Sequence, residues 1–160
     1  MDMLVKLYDL PSKEKYIREL EKTGVKIRVA RAYEKTQIIC WVHKNFSREW
    51  ADECSVAFSN HPVSCLIAVA RGELTGFACY DCTCRNFFGP IGVAEQARGH
   101  GAGKALLLTV LEAMAACGYA YAIIGGVDNA RDFYKTAIGA VEIPGSSPGI
   151  YCDRLQAQQD

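Results

Sequence analysis

The chain has 160 residues, half of them apolar, and a formal net charge of zero. That length supports one domain with a sizeable core and is short for two. The balanced charge excludes the basic excess on which nucleic-acid and membrane-surface binding usually rest, and no apolar run approaches the ~18 residues of a membrane span.

The first residues, MDMLVKLYDLP, are broken by charges and lack the apolar stretch of a signal peptide. The expected location is therefore cytoplasmic. Leu4 to Leu7 is read as a short strand. Pro11 and Ser12 open a charged helix with Tyr16, Ile17 and Leu20 on its apolar face and Gly24 as its stop. Val25 to Ala30 alternates as a half-buried strand. Tyr33 to Asn45 is read as a helix burying Ile38, Ile39, Trp41 and Val42, and Ser47 caps a second helix through Ser59. Cys65–Ala70 and Leu74–Tyr80 flank the turn Arg71-Gly72-Glu73 as a hairpin. Asn86 to Ala94 is a further strand, and Gly89-Pro90 within it predicts a bulge or a free edge, because proline cannot donate to a ladder. A glycine-rich loop leads into an Ala/Leu-rich helix from about Gly101 to Cys117, closed by Gly118. Tyr119 to Ile124 is a nearly all-apolar strand. Asp128 or Asn129 caps a last helix through Thr136, and Val141–Ile143 with Gly149–Tyr151 are read as a terminal hairpin. This order predicts an α+β sandwich around a mixed sheet.

Eight cysteines are many for this length, but a domain this large needs no disulfide framework, and Cys40, Cys65 and Cys79 lie in apolar runs. They are read as reduced core thiols. Cys79, Cys82 and Cys84 form a local cluster. A structural zinc site wants four ligands, usually from paired units, and neither a second cluster nor a nearby histidine completes this one, so no metal is expected.

The most informative segment is GPIGVAEQARGHGAGKALL, Gly89 to Leu107. It runs strand, glycine-rich turn, helix. Glycines let the backbone approach a ligand, and the free N–H groups at a helix start favour an anion. Two common phosphate loops fail here. For GxxxxGK[ST], Arg98 stands where the first glycine belongs and Ala105 where Ser or Thr must hold magnesium; for GxGxxG, Lys104 replaces the last glycine. What fits is R-x-x-G-x-G, at Arg98, Gly101 and Gly103. Further on, NARDFYKTAIGA places Ala130 four residues before Tyr134, which follows Phe133 and precedes Gly139.

These two segments together resemble the signatures of the GNAT superfamily of acyl-CoA N-acyltransferases. The resemblance covers residues 25 to 151 in element order and is motif-specific over 88 to 140. The asparagine often found seven residues before the tyrosine falls at Val127, and one extra residue separates Tyr134 from Gly139. The resemblance implies one domain over 1–160, with 1–24 an extension of unassigned role. It also implies a three-layer α+β sandwich, a mixed, mostly antiparallel sheet with helices on both faces. The implied cofactor is acetyl-CoA. Its pyrophosphate would lie on Arg98, Gly99, His100, Gly101, Ala102, Gly103 and Lys104, and its pantetheine arm beside Val93 and Ala94. Asn129 is a further candidate contact.

The implied reaction is acetyl transfer to an amine by direct attack, with Tyr134 as the acid that protonates the departing thiolate. No carboxylate lies within Phe87 to Ala94, so Asp81, Glu53 and Glu95 stand as candidate bases. Trp50 and Phe88 are candidates for the acceptor side. The rival reading is a module that binds acyl-CoA for regulation or assembly without turnover. The expected partner is an amine acceptor of unspecified identity. A homodimer is allowed for, and neither nucleic acid nor membrane is expected.

Overall fold

In the computed structural model residues 1–156 are described; residues 157–160, the end of the expected single domain, lie outside the described residues. Seven strands form one sheet: β1 (Met3–Lys6), β2 (Val25–Val29), β3 (Cys65–Ala70), β4 (Glu73–Tyr80), β5 (Phe87–Val93), β6 (Tyr121–Ile124) and β7 (Val141–Glu142). Their spatial order is β2-β3-β4-β5-β6-β1-β7. Every pairing is antiparallel except β5 with β6, so the sheet is mixed and mostly antiparallel, as expected. The helices are α1 (Glu14–Lys22), α2 (Lys35–Asn45), α3 (Arg48–Ala57), α4 (Ala102–Ala116) and α5 (Arg131–Ile138).

Period-two alternation divides the strand side chains between two faces. Leu66, Ala68, Ala78 and Tyr80 join a core built around α4, whose Leu106, Leu107, Leu111 and Met114 are fully buried. Truncating one such side chain costs about 2–5 kcal/mol. Cys65, Ile67, Phe77 and Cys79 face the other way and pack with Ile38 and Val42 of α2 and with Ala51, Cys54 and Ala57 of α3. The helices therefore cover both faces, and the α+β sandwich is the observed fold. Phe46, between α2 and α3, stacks on Trp50 and Phe77. Its ring lies over Gly92, where a Cβ would overlap it.

The Gly89-Pro90 step opens the sheet. β5 pairs with β6 only at Phe87↔Ile123 and Phe88↔Ile124. On its other side the register with β4 shifts between Ala78 and Tyr80, which marks the expected bulge. The shift changes which backbone groups face which neighbour. Ala94 donates to the Thr75 carbonyl at 2.9 Å, so by alternation Val93 and Ile91 turn their backbone groups away from β4, toward the gap left by β6.

Residues 1–24, left without a role by the sequence, are built into the fold, and two expectations change. β1 sits between β6 and β7, with Met3 opposite both Ile124 and Glu142, and α1 packs on α4 and β2. The terminal hairpin does not form. β7 pairs with β1, and Gly149–Tyr151 is a 3₁₀ turn. β1 already fills the place beside β6 and β7 that a returning strand would need. Asp2 fixes this arrangement: its N–H donates to Ser146 Oγ at 2.8 Å, its carboxylate accepts the Gly126 N–H at 3.0 Å, and its carbonyl accepts the Ile143 N–H at 3.0 Å. The last helix also differs in detail. Asp128 and Asn129 lie in a 3₁₀ turn and make no capping bond to α5.

Candidate functional site

The loop Arg98 to Lys104 lines a cleft of about 690 Å³ at the start of α4. Gly99 and Gly101 have φ of +86° and +85°, which favour glycine, and a Cβ built on Gly99 meets nothing within 4 Å. Gly101 is the residue before the first turn of α4, and the first helical bond there is Ala105 N–H to the Gly101 carbonyl at 3.0 Å. The N–H groups of Ala102, Gly103 and Lys104 thus precede any intrahelical partner. They stand at the positive end of a helix of 15 residues. Arg98 and Lys104 add positive charge at the same cleft, and His100 is exposed on it. The Arg98 Nε donates to the Val93 carbonyl at 3.0 Å, tying the loop to the open edge of β5. Val93 lines the cleft; Ala94 is buried, with its N–H held by Thr75.

A second cavity of about 760 Å³ occupies the gap between β5 and β6. Phe88, Pro90 and Ile91 of β5 line one wall, and Gly125–Val127 after β6 another. Trp50 and Glu53 of α3 close the far side. Tyr134 of α5 enters this cavity, while its neighbour Phe133 lines the loop cleft, so α5 borders both. The Tyr134 ring packs edge-on against Phe88 at 6.3 Å and against Phe133 at 5.2 Å. Burial pushes its phenol up to about 12, which keeps the proton on the oxygen at neutral pH. Among the described residues its hydroxyl has no hydrogen-bond partner, and no buried side-chain oxygen is left unsatisfied. That hydroxyl is therefore accessible from the cavity.

The three candidate bases separate. Glu53 lines the cavity and accepts the Thr83 hydroxyl at 2.7 Å. Asp81 is not among the cavity's lining residues. One of its oxygens accepts the Asn86 N–H at 2.7 Å and the other the Tyr119 hydroxyl at 2.9 Å, so the carboxylate shapes the turn between β4 and β5. That turn holds Asp81 at φ 55°. Glu95 is exposed in the 3₁₀ turn after β5. Asn129 is exposed and borders neither cleft, whereas its neighbours Asp128 and Ala130 line the cavity.

Several lining residues were not legible as such. Tyr16 and Glu19 of α1 line the loop cleft, with the Lys104 ammonium 5.7 Å from the Tyr16 ring. Tyr151 lines the cavity and lies against Gly125 and Gly126, where its ring fills the space a Cβ would take. Its phenol is pushed up by burial first and then by the Glu53 and Asp2 carboxylates. Met1 lines the same cavity. The only signal for Tyr16 was its place on the apolar face of α1; Tyr151 and Met1 carried none. Ligands for a metal also converge unexpectedly: the Cys54, Cys65 and Cys79 sulfurs lie within 4.8 Å of one another.

The family model for the Acetyltransferase (GNAT) family matches residues 26–139. No curated protein matches the sequence. Among solved structures, a GCN5-related N-acetyltransferase from Sphaerobacter thermophilus superposes with a TM-score of 0.67 at 19% identity, over 88% of this chain and 47% of that one. The chain thus spans less than half the length of that relative. A GNAT family acetyltransferase from Brucella melitensis, solved with acetyl-CoA, gives 0.54 at 16% identity over 69% of this chain and 82% of that one. The GNAT family N-acetyltransferase YhbS from Escherichia coli, solved with CoA, gives 0.54 at 20% identity over 69% of this chain and 68% of that one. No helix among the described residues is long and apolar enough to cross a membrane. The match over most of the sequence, on a sheet that opens beside a glycine-lined helix start, means that this chain belongs to the Acetyltransferase (GNAT) family.

Proposed function

We propose that the protein is a cytoplasmic N-acetyltransferase acting on an amine of a small molecule or a protein. The observation that carries the reading is the parting of β5 from β6 after Phe88, with the glycine loop at one end of the gap and the accessible Tyr134 hydroxyl within it. The residues fit acyl-CoA. The open side of Gly99 leaves room for a pyrophosphate, the N–H groups at the start of α4 supply donors, and the outward backbone of Val93 and Ile91 suits an amide-bearing arm. Bound there, acetyl-CoA supplies the activated acyl carbon.

Each proton then has a residue. The Glu53 carboxylate takes the proton that the attacking amine must lose, directly or through water in the cavity. Tyr134 donates its phenolic proton to the sulfur as the carbon–sulfur bond breaks and the carbon–nitrogen bond forms. A phenol held near 12 stays protonated until that moment. Trp50 and Tyr151 give the acceptor pocket aromatic walls beside Glu53, which favours a cationic ligand over an anionic one.

Free-thiol release from acetyl-CoA across an amine panel tests the reading. Turnover with amines and none with alcohols supports it. Activity confined to alcohols sinks the amine assignment, and acetyl-CoA binding with no turnover on any amine would instead establish the non-catalytic module.

A further inference from the structure

Three cysteines that no step of acyl transfer uses meet in the second core, and Cys82 packs at its edge. Cys65 and Cys79 are directly opposed across β3 and β4. Cys54 reaches them from α3, and all three are fully buried. Their sulfurs lie within 4.8 Å of one another. Tetrahedral zinc with bonds of ~2.3 Å sets its sulfurs ~3.8 Å apart, a small contraction of that spacing. Cys82 stands three positions after Cys79, a C-x-x-C spacing, with the chain turning at Asp81 between them. Its half-buried thiol donates to the Tyr80 carbonyl at 3.3 Å and lies 3.9 Å from Ser64 Oγ.

We propose that Cys54, Cys65, Cys79 and Cys82 form a structural zinc site. The donor set is all sulfur, which selects a soft or borderline cation and excludes magnesium and calcium. Trp41, Phe58, Val63 and Phe77 belong to the same apolar core, and three of the four ligands are fully buried in it, as suits a structural site. Ligation releases the thiol protons to solvent and pairs each resulting thiolate with the cation. The site would fasten α3 to the turn after β4. The Thr83–Glu53 hydrogen bond joins the same two segments, and Glu53 immediately precedes Cys54. Zinc there would fix the wall of the acceptor cavity without touching substrate. The inference stands apart from the assignment of the acceptor.

The test uses the full chain, purified under reducing conditions from zinc-supplemented culture and dialysed. About one zinc per chain by elemental analysis is expected, with a melting temperature that falls on chelation. Cobalt(II) added to the stripped protein should give thiolate-to-cobalt charge-transfer absorption and the d–d bands of a tetrahedral site. Cys82→Ser is half-buried and should stay folded, yet lose zinc on dialysis and weaken the charge-transfer band. Cys84→Ser, exposed and outside the cluster, should behave as wild type. Substoichiometric zinc together with no cobalt charge transfer would overturn the proposal and leave three packed thiols. So would a disulfide within the set by intact mass, or a Cys82→Ser protein that holds metal as wild type does.

Discussion

Tyr134→Phe isolates the acid. The substitution keeps the ring against Phe88 and Phe133 and removes a hydroxyl that has no partner among the described residues, so no hydrogen bond of the fold is lost. Stability near neutral pH should change by less than about 1 kcal/mol. A positioned acid contributes ~10²–10⁴ in rate, or about 3–5 kcal/mol of barrier, so kcat should fall within that range. Acetyl-CoA affinity should change by less than about tenfold, since one hydrogen bond is worth roughly 1 kcal/mol. Kinetics beside calorimetric acetyl-CoA binding measure both quantities. The phenol gives a second signature. Its folded value is about 12 against an ordinary 10.0, a raised pKa from burial. The associated stability is therefore fully present below pH 10 and is lost as pH rises through 12, by up to about 3 kcal/mol. The variant lacks that component, so the two stability curves should converge or cross above pH 10. An unchanged kcat would refute the reasoning and leave Tyr134 as packing. A large loss of affinity with kcat intact would make it a cofactor ligand.

Gly101→Val places a branched side chain at φ +85° beside the first turn of α4. It should abolish thermal stabilisation by CoA while the fold is retained; stabilisation equal to wild type would show that the loop does not hold the pyrophosphate. Glu53→Gln preserves the acceptor for Thr83 and removes the base, so kcat at neutral pH should drop by ~10² or more, the deficit shrinking as pH approaches the amine's own pKa; a deficit independent of pH would argue against a base. Asp81→Ala should do the opposite, lowering stability by roughly 1–3 kcal/mol through the unpaired Asn86 N–H and Tyr119 hydroxyl while kcat stays near wild type, and a lost kcat in a stable protein would return Asp81 to the chemistry. Asp2→Ala leaves the Gly126 N–H without its acceptor, and an unchanged melting temperature would show that the first residues do not hold the turn beside the cavity.

What the sequence determined by itself is local. Glycines at 99, 101 and 103 before an apolar helix announce a loop with left-handed angles and a free helix start, because backbone conformation and the helix dipole depend on neighbours in the chain. Proline at 90 announces a broken ladder for the same reason. Tertiary structure decided whatever depends on which segments meet. Leu4 to Leu7 was legible as a short strand, yet nothing local says that this strand inserts between β6 and β7 and displaces the terminal hairpin. Asp81 and Glu53 look alike as carboxylates in the sequence. The β4–β5 turn ties one to the Asn86 N–H and the Tyr119 hydroxyl, while α3 turns the other into the cavity. Cys54, Cys65 and Cys79 are scattered along the chain, and only strand register and the packing of α3 on the sheet bring their sulfurs together. Side-chain pairing across elements is set by the whole fold's burial of apolar surface, a quantity no short stretch of chain contains.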